Sequence, residues 1–159
     1  MSHRHKLLLL ALVLLTPLTA RADSLRNLKP GQEVPAYALR TIDDQIVESE
    51  KLKGQVVVVV YLSAEQKSSE SAALSAHTMV QEMRNKEVEL LLVTADAAKT
   101  DYFRAWRDRA GVHEPLALDL KRDLYGQLGL IVLPTTLVID AEGRLAHVIS
   151  SYKTNYEHV

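Results

Sequence analysis

The seven residues "VVVVVYL", Val56 to Leu62, constrain the fold of this chain more than any other stretch. β-branched and aromatic side chains favour extended backbone. Apolar and polar positions do not alternate in the run, so both faces of the strand must be covered. That describes an interior strand of an α/β sheet. The next residues, "SAEQKSSE", are polar and lead to Ala73, Ala76, Val80 and Met83, three or four apart. The spacing predicts a helix with one buried face, capped by Ser68 or Ser69 and with Glu70 in its first turn. A strand, a tight polar turn and a helix N-terminus in succession is a place where many folds set a reactive group.

The pattern repeats downstream. "VELLLVTAD" (Val88 to Asp96) reads as a second buried strand, and "KTDYFRAWRDRAGV" (Lys99 to Val112) as a helix with Phe103, Trp106 and Ala110 inward and Gly111 as its stop. "PLALD" is a short strand. "LKRDLYGQLGL" is a third helix, with Leu120, Leu124 and Leu128 expected inward and Gly129 ending it. "PTTLVIDAEGRLAHVIS" closes the set as a hairpin turning at Asp140 to Gly143, where glycine supplies a positive φ. Before the valine run, "YALRTID" alternates as a half-buried strand, Asp43-Asp44 turn, and "QIVES" returns. The expectation is an α/β domain: a mixed central sheet with helices on both faces, preceded by an N-terminal β-hairpin.

The first 22 residues stand apart from that domain. "MSHRHK" is a basic n-region, "LLLLALVLLTPL" an apolar h-region, and Ala20-Arg21-Ala22 fits a small-residue cleavage site. The apolar run is about 12 residues, short of the roughly 20 that a spanning helix needs. The expectation is a secretory signal over 1–22 and a domain over 23–159, exported and periplasmic, with no stable membrane anchor after cleavage. Cleavage would remove three of the 19 basic residues and none of the 20 acidic ones. The acidic excess and the lack of a basic stripe exclude nucleic acid as a partner. The chain has no cysteine, so packing alone must stabilise it.

Two segments carry a family resemblance. "VPAYALRTIDDQIVESEKLKGQVVVVVYLSAE" resembles the entry of the thioredoxin-like redoxins of the TlpA/ResA type, periplasmic thiol-disulfide proteins. "LALDLKRDLYGQLGLIVLPTTLVIDAEGRL" resembles their second half, and "LPTTLVIDAEGRL" is its most specific piece. The likeness runs from about Leu28 to Ile149 and implies a thioredoxin-like fold. It also implies that the turn after the central strand is the family's Cys-x-x-Cys site, with the two cysteine positions on Gln66 and Ser69 of Gln66-Lys67-Ser68-Ser69. It further implies a cis peptide between Leu133 and Pro134, in a Leu133-Pro134-Thr135 loop that holds the substrate backbone in active relatives.

The chemistry of that site is then missing. A cysteine at a helix N-terminus is acidified by the dipole and unpaired N–H groups, and a second cysteine resolves the mixed disulfide. Gln66 has no nucleophile and Ser69 no redox couple. Dithiol and cysteine-peroxidase chemistry are impossible, so no catalytic residue is assigned. The expected function is a redox-inactive binding or scaffold module; the alternative is cysteine-independent use of the site through a bound thiol or a metal.

Other constellations are weaker. Ser69 as a nucleophile has no Gly-x-Ser-x-Gly frame and no evident base. The histidines (His3, His5, His77, His113, His147, His158) form no i, i+3 or i, i+4 pair. A His77/Met79/Met83 copper site is conceivable, but Met83 fits a core position better. No metal and no cofactor is expected. Tyr102, Arg107 and Arg109 read as the solvated face of their helix. Relatives add a terminal helix after the last strand, whereas "SYKTNYEHV" holds about two turns at most. A protein partner or self-association is expected at the uncovered sheet face.

Overall fold

The computed structural model describes residues 25–83 and 87–150. The signal segment expected over 1–22 and the tail 151–159 lie outside the described residues.

The strands are β1 (Ala38–Thr41), β2 (Ile46–Glu48), β3 (Val56–Leu62), β4 (Val88–Thr94), β5 (Leu116–Leu118), β6 (Thr135–Ile139) and β7 (Leu145–Ser150). The helices are α1 (Lys67–Glu82), α2 (Thr100–Ala110) and α3 (Asp123–Leu128). They form one mixed sheet in the order β2-β1-β5-β4-β3-β6-β7. β3 pairs with β4 in parallel and with β6 antiparallel. The N-terminal hairpin does not merely precede the sheet. β1 pairs antiparallel with β5, extending the sheet to seven strands.

The valine run is buried because its neighbours serve both faces. Val57, Val59 and Tyr61 pack with Leu91, Val93, Leu137 and the α3 residues Leu124 and Leu128. Val58, Val60 and Leu62 pack with Leu90, Leu92, the α1 residues Ala73, Ala76 and Val80, and Phe103 and Trp106 of α2. Successive side chains of a strand point to opposite faces, so a strand with a helix layer on each side needs apolar residues at every position. The α1 contact surface is made largely of small side chains, which lets the helix lie close to the sheet.

Four residues depart from expectation. Leu120 is 60% exposed rather than inward. It precedes α3, in a turn closed by Arg122 N–H donating to the Asp119 carbonyl at 2.9 Å, so helical spacing does not apply to it. Met83 is half-buried at the C-cap of α1 instead of in the core. Arg107 is no solvated charge. Its side chain is 11% exposed, and its Nη2 donates to both Asp43 carboxylate oxygens at 2.8 and 2.9 Å. Its Nη1 donates to the Glu114 carbonyl at 3.1 Å. It ties α2 to the β1–β2 turn. Tyr102 is half-buried and donates to the Glu70 carboxylate of α1; Arg109 is exposed.

Candidate functional site

The site is built where β3 ends and α1 begins. Ser63 to Gln66 make the turn, and Glu65 takes a left-handed backbone at φ 57°. An L-residue with a side chain adopts that region only when its surroundings hold it there. Two anchors flank it. The Asp96 carboxylate, just past the end of β4, accepts from Ala64 N–H at 2.7 Å and from the Ser63 hydroxyl at 3.3 Å. Lys99 pairs with Glu65 at 2.8 Å. Parallel strands end side by side, so β4 delivers Asp96 to the turn that leaves β3.

Neither expected serine caps α1. The helix starts at Lys67, and Gln66 is its N-cap, with no side-chain cap bond. Gln66 supplies its backbone carbonyl instead, to Ser69 N–H at 3.0 Å and Glu70 N–H at 3.2 Å. Ser69 sits inside the first turn, 2% exposed. Its hydroxyl accepts from Ser63 N–H at 3.0 Å and donates to Gln66 Oε1 at 2.6 Å. Gln66 Nε2 donates to the Leu133 carbonyl of the neighbouring loop at 3.2 Å. The amide orientation is fixed by chemistry: a backbone carbonyl only accepts, so nitrogen faces Leu133 and oxygen faces Ser69.

The Leu133–Pro134 peptide is cis. Pro134 and Thr135 are buried, and the Thr135 hydroxyl donates to the Val132 carbonyl at 2.6 Å. Of the expected site residues, the structure brings together Gln66, Ser69 and Leu133. Lys67 and Ser68 are exposed on the outer side of the first turn.

A buried polar pair lies on the α3 side of β3. Tyr61 donates to Asp119 Oδ2 at 2.7 Å, and the same oxygen accepts from Tyr125 N–H at 2.8 Å. Burial, with the Asp119 carboxylate beside it, pushes the Tyr61 hydroxyl far above its ordinary range. The pair ties β3 to the β5–α3 connection and to the first turn of α3.

A family profile described as AhpC/TSA matches residues 30–148. The chain belongs to the AhpC/TSA family. Among individual relatives, the thiol-disulfide oxidoreductase ResA of Bacillus thuringiensis is 25% identical over 125 residues, covering 78% of this chain and 71% of that protein. Two solved structures share the fold. The thioredoxin domain of a thiol-disulfide oxidoreductase from Bacteroides vulgatus superposes with a TM-score of 0.68 at 17% identity, covering 76% of this chain and 88% of that one. An uncharacterized conserved protein from Geobacillus kaustophilus gives 0.72 at 12% identity, covering 85% and 76%. The fold is thioredoxin-like, and this AhpC/TSA member has no sulfur nucleophile in it.

The other candidates resolve differently. The recorded partners of the Ser69 hydroxyl are a backbone N–H and a carboxamide oxygen, neither of which is a base. His77 is engaged elsewhere, with Nδ1 2.6 Å from Glu114 Oε1. Among the described residues no group of three or more His, Cys, Asp or Glu is placed to hold a metal ion, and no helix is long and apolar enough to cross a membrane. A cleft with Tyr37 and Lys53 on its wall lies by Val57 and Ile139, at the far end of the sheet from the turn. Burial there pushes the Tyr37 hydroxyl up to about 12.

Sequence reasoning missed Asp96, Ser63 and the role of the Leu133 carbonyl. Asp96 had a legible signal, since polar residues at the ends of adjacent parallel strands converge at one edge. The family resemblance had singled out the Leu133-Pro134-Thr135 loop, but the bond itself had no signal, because it runs to a backbone carbonyl 67 residues away.

Proposed function

We propose that the chain is an exported, redox-inactive thioredoxin-fold module that binds a polypeptide segment in the cleft between the Ser63–Ser69 turn and the Leu133–Thr135 loop. The observation that carries this reading is the Gln66–Ser69–Leu133 constellation. At the two positions where the resemblance puts cysteines, Ser69 bonds to the Gln66 carboxamide and Gln66 bonds to the Leu133 carbonyl of the adjoining loop, so hydrogen-bonding groups stand in place of thiols. A surface with donors and acceptors but no electron-pair exchange can hold a peptide and cannot oxidise or reduce it. The oxidoreductase relatives support the choice of peptide as ligand. The basic, apolar and small-residue succession in residues 1–22 supports export.

A nitrogen-15 NMR titration with an unfolded, cysteine-free polypeptide tests the reading. Amide shifts confined to residues 63–69 and 131–135 are expected. Shifts elsewhere, or none at millimolar peptide, would overturn it. Export is checked by sequencing the N-terminus of the protein recovered from its host: a start at Asp23 is expected, and a start at Met1 refutes it.

A further inference from the structure

Resting on that reading, we propose that the Gln66 side chain is a built-in plug in a two-point carboxamide site, and that an incoming peptide carboxamide displaces it. The site consists of the Ser69 hydroxyl as donor and the Leu133 carbonyl as acceptor, both now bonded to one amide.

The polarity of each point is set by the fold rather than by Gln66. Ser69 accepts from Ser63 N–H, which leaves its one proton to point at the amide oxygen. Ser69 is 2% exposed with the amide in place, so its proton is held by Gln66 rather than by water until the amide leaves. Leu133 can only accept. The pair therefore reads a C=O and an N–H presented together, and rejects a carboxylate, which has no proton to give Leu133.

Gln66 is also an uneconomical choice for its backbone position. Asn, Asp, Ser and Thr are the residues that serve an N-cap with their side chains. Gln66 makes no such bond. Its amide instead bridges the Ser69 hydroxyl of the first turn and the Leu133 carbonyl. An intramolecular amide held by two hydrogen bonds competes with any ligand for the same groups, lowering apparent affinity by the fraction of time the cleft is closed.

The test compares wild type, Gln66→Ala and Gln66→Ser by titration with two short, unstructured, cysteine-free peptides. One contains Gln and Asn; the other has each of these replaced by Met. Serine is a preferred N-cap, so Gln66→Ser keeps the helix start even where alanine weakens it. The expected result is binding to either variant about tenfold tighter than to wild type. In wild type, the Gln66 side-chain NH₂ resonances should move on saturation with peptide. Adding Ser69→Ala to either variant should remove the gain. Preference for the Gln/Asn peptide assigns the site to side-chain carboxamides, and equal binding assigns it to backbone amides. Equal affinity of wild type and both variants would overturn the plug and leave peptide docking intact. No binding by any of the three would overturn the docking reading itself.

Discussion

Returning two thiols to the turn examines its geometry directly. Gln66 is the residue before α1, and Ser69 is buried in its first turn. The double change Gln66→Cys and Ser69→Cys puts one thiol at a half-exposed helix N-terminus and the other in the layer beneath. A helix N-terminus favours a nearby anion by about 0.3–1 kcal/mol on an exposed surface and up to about 2 kcal/mol where partly buried. One pKa unit corresponds to about 1.36 kcal/mol. The thiol at position 66 should therefore titrate about 0.2 to 1.5 units below the free value of about 8.5. Lys67 acts in the same direction. Burial acts the other way on the thiol at position 69 and raises it, so the two should titrate apart. Closing so short a loop removes unfolded-state entropy worth about 2 kcal/mol in the chain-entropy account. Against that stand the lost bonds among Gln66, Ser69, Ser63 and Leu133. Alkylation rate against pH, with mass mapping of the modified site, measures both thiols; free-thiol counting after mild oxidation measures pairing. One low titration, an intramolecular disulfide and reduction of a test disulfide are expected, where wild type shows no reductase activity at any pH. Two thiols that titrate like free cysteine and never pair would refute the placement of this turn.

Three further outcomes follow from the hydrogen bonding. Ser69→Ala leaves the Ser63 N–H and the Gln66 carboxamide oxygen without their partner, and should cost about 1–3 kcal/mol in urea unfolding; an unchanged midpoint would contradict the network. Tyr61→Phe removes a donor from the buried Asp119 carboxylate and should cost about 1.5–3 kcal/mol, with the loss abolished in an Asp119→Asn background if the pair is the cause. Burial disfavours the charged form of Glu114, but hydrogen bonds from His77, a backbone N–H and Gln81 outweigh it and hold the carboxyl below its ordinary 4.5. Its stabilisation is therefore complete above that value and fades as pH falls through the lower folded-state one. Asp43, lowered chiefly by its hydrogen bond from Arg107, shifts the same way. Glu114→Gln should flatten the acid limb of a urea-midpoint profile, and an unaltered slope would discount the carboxylate.

The legible part of the fold was the part governed by period. The valine run, the three- and four-residue spacing in α1 and the Gly143 turn, at φ 82°, each depend on neighbours along the chain. Leu120 misled because an apolar residue four before Leu124 looks helical, while the Asp119–Arg122 turn takes it out of the helix. Arg107 misled because a charged residue on a polar helix reads as solvated, and its Asp43 partner lies 64 residues away. At the site, the two substituted positions were legible through the family resemblance. What those side chains bond to was not, since the Ser63 N–H and the Leu133 carbonyl are backbone groups that only the folded turn and sheet bring to them.

The Asp96 anchor has a consequence for how the molecule responds to its medium. Ala64 N–H and the Ser63 hydroxyl are held by a carboxylate from the next strand, and no bond in the chain can be made or broken by an electron donor of the thiol class. The turn thus has a single covalent state. Where a dithiol alternates between two shapes as glutathione rises and falls, this surface stays the same in reducing and oxidising surroundings. A peptide at the proposed site would meet the same face in either medium.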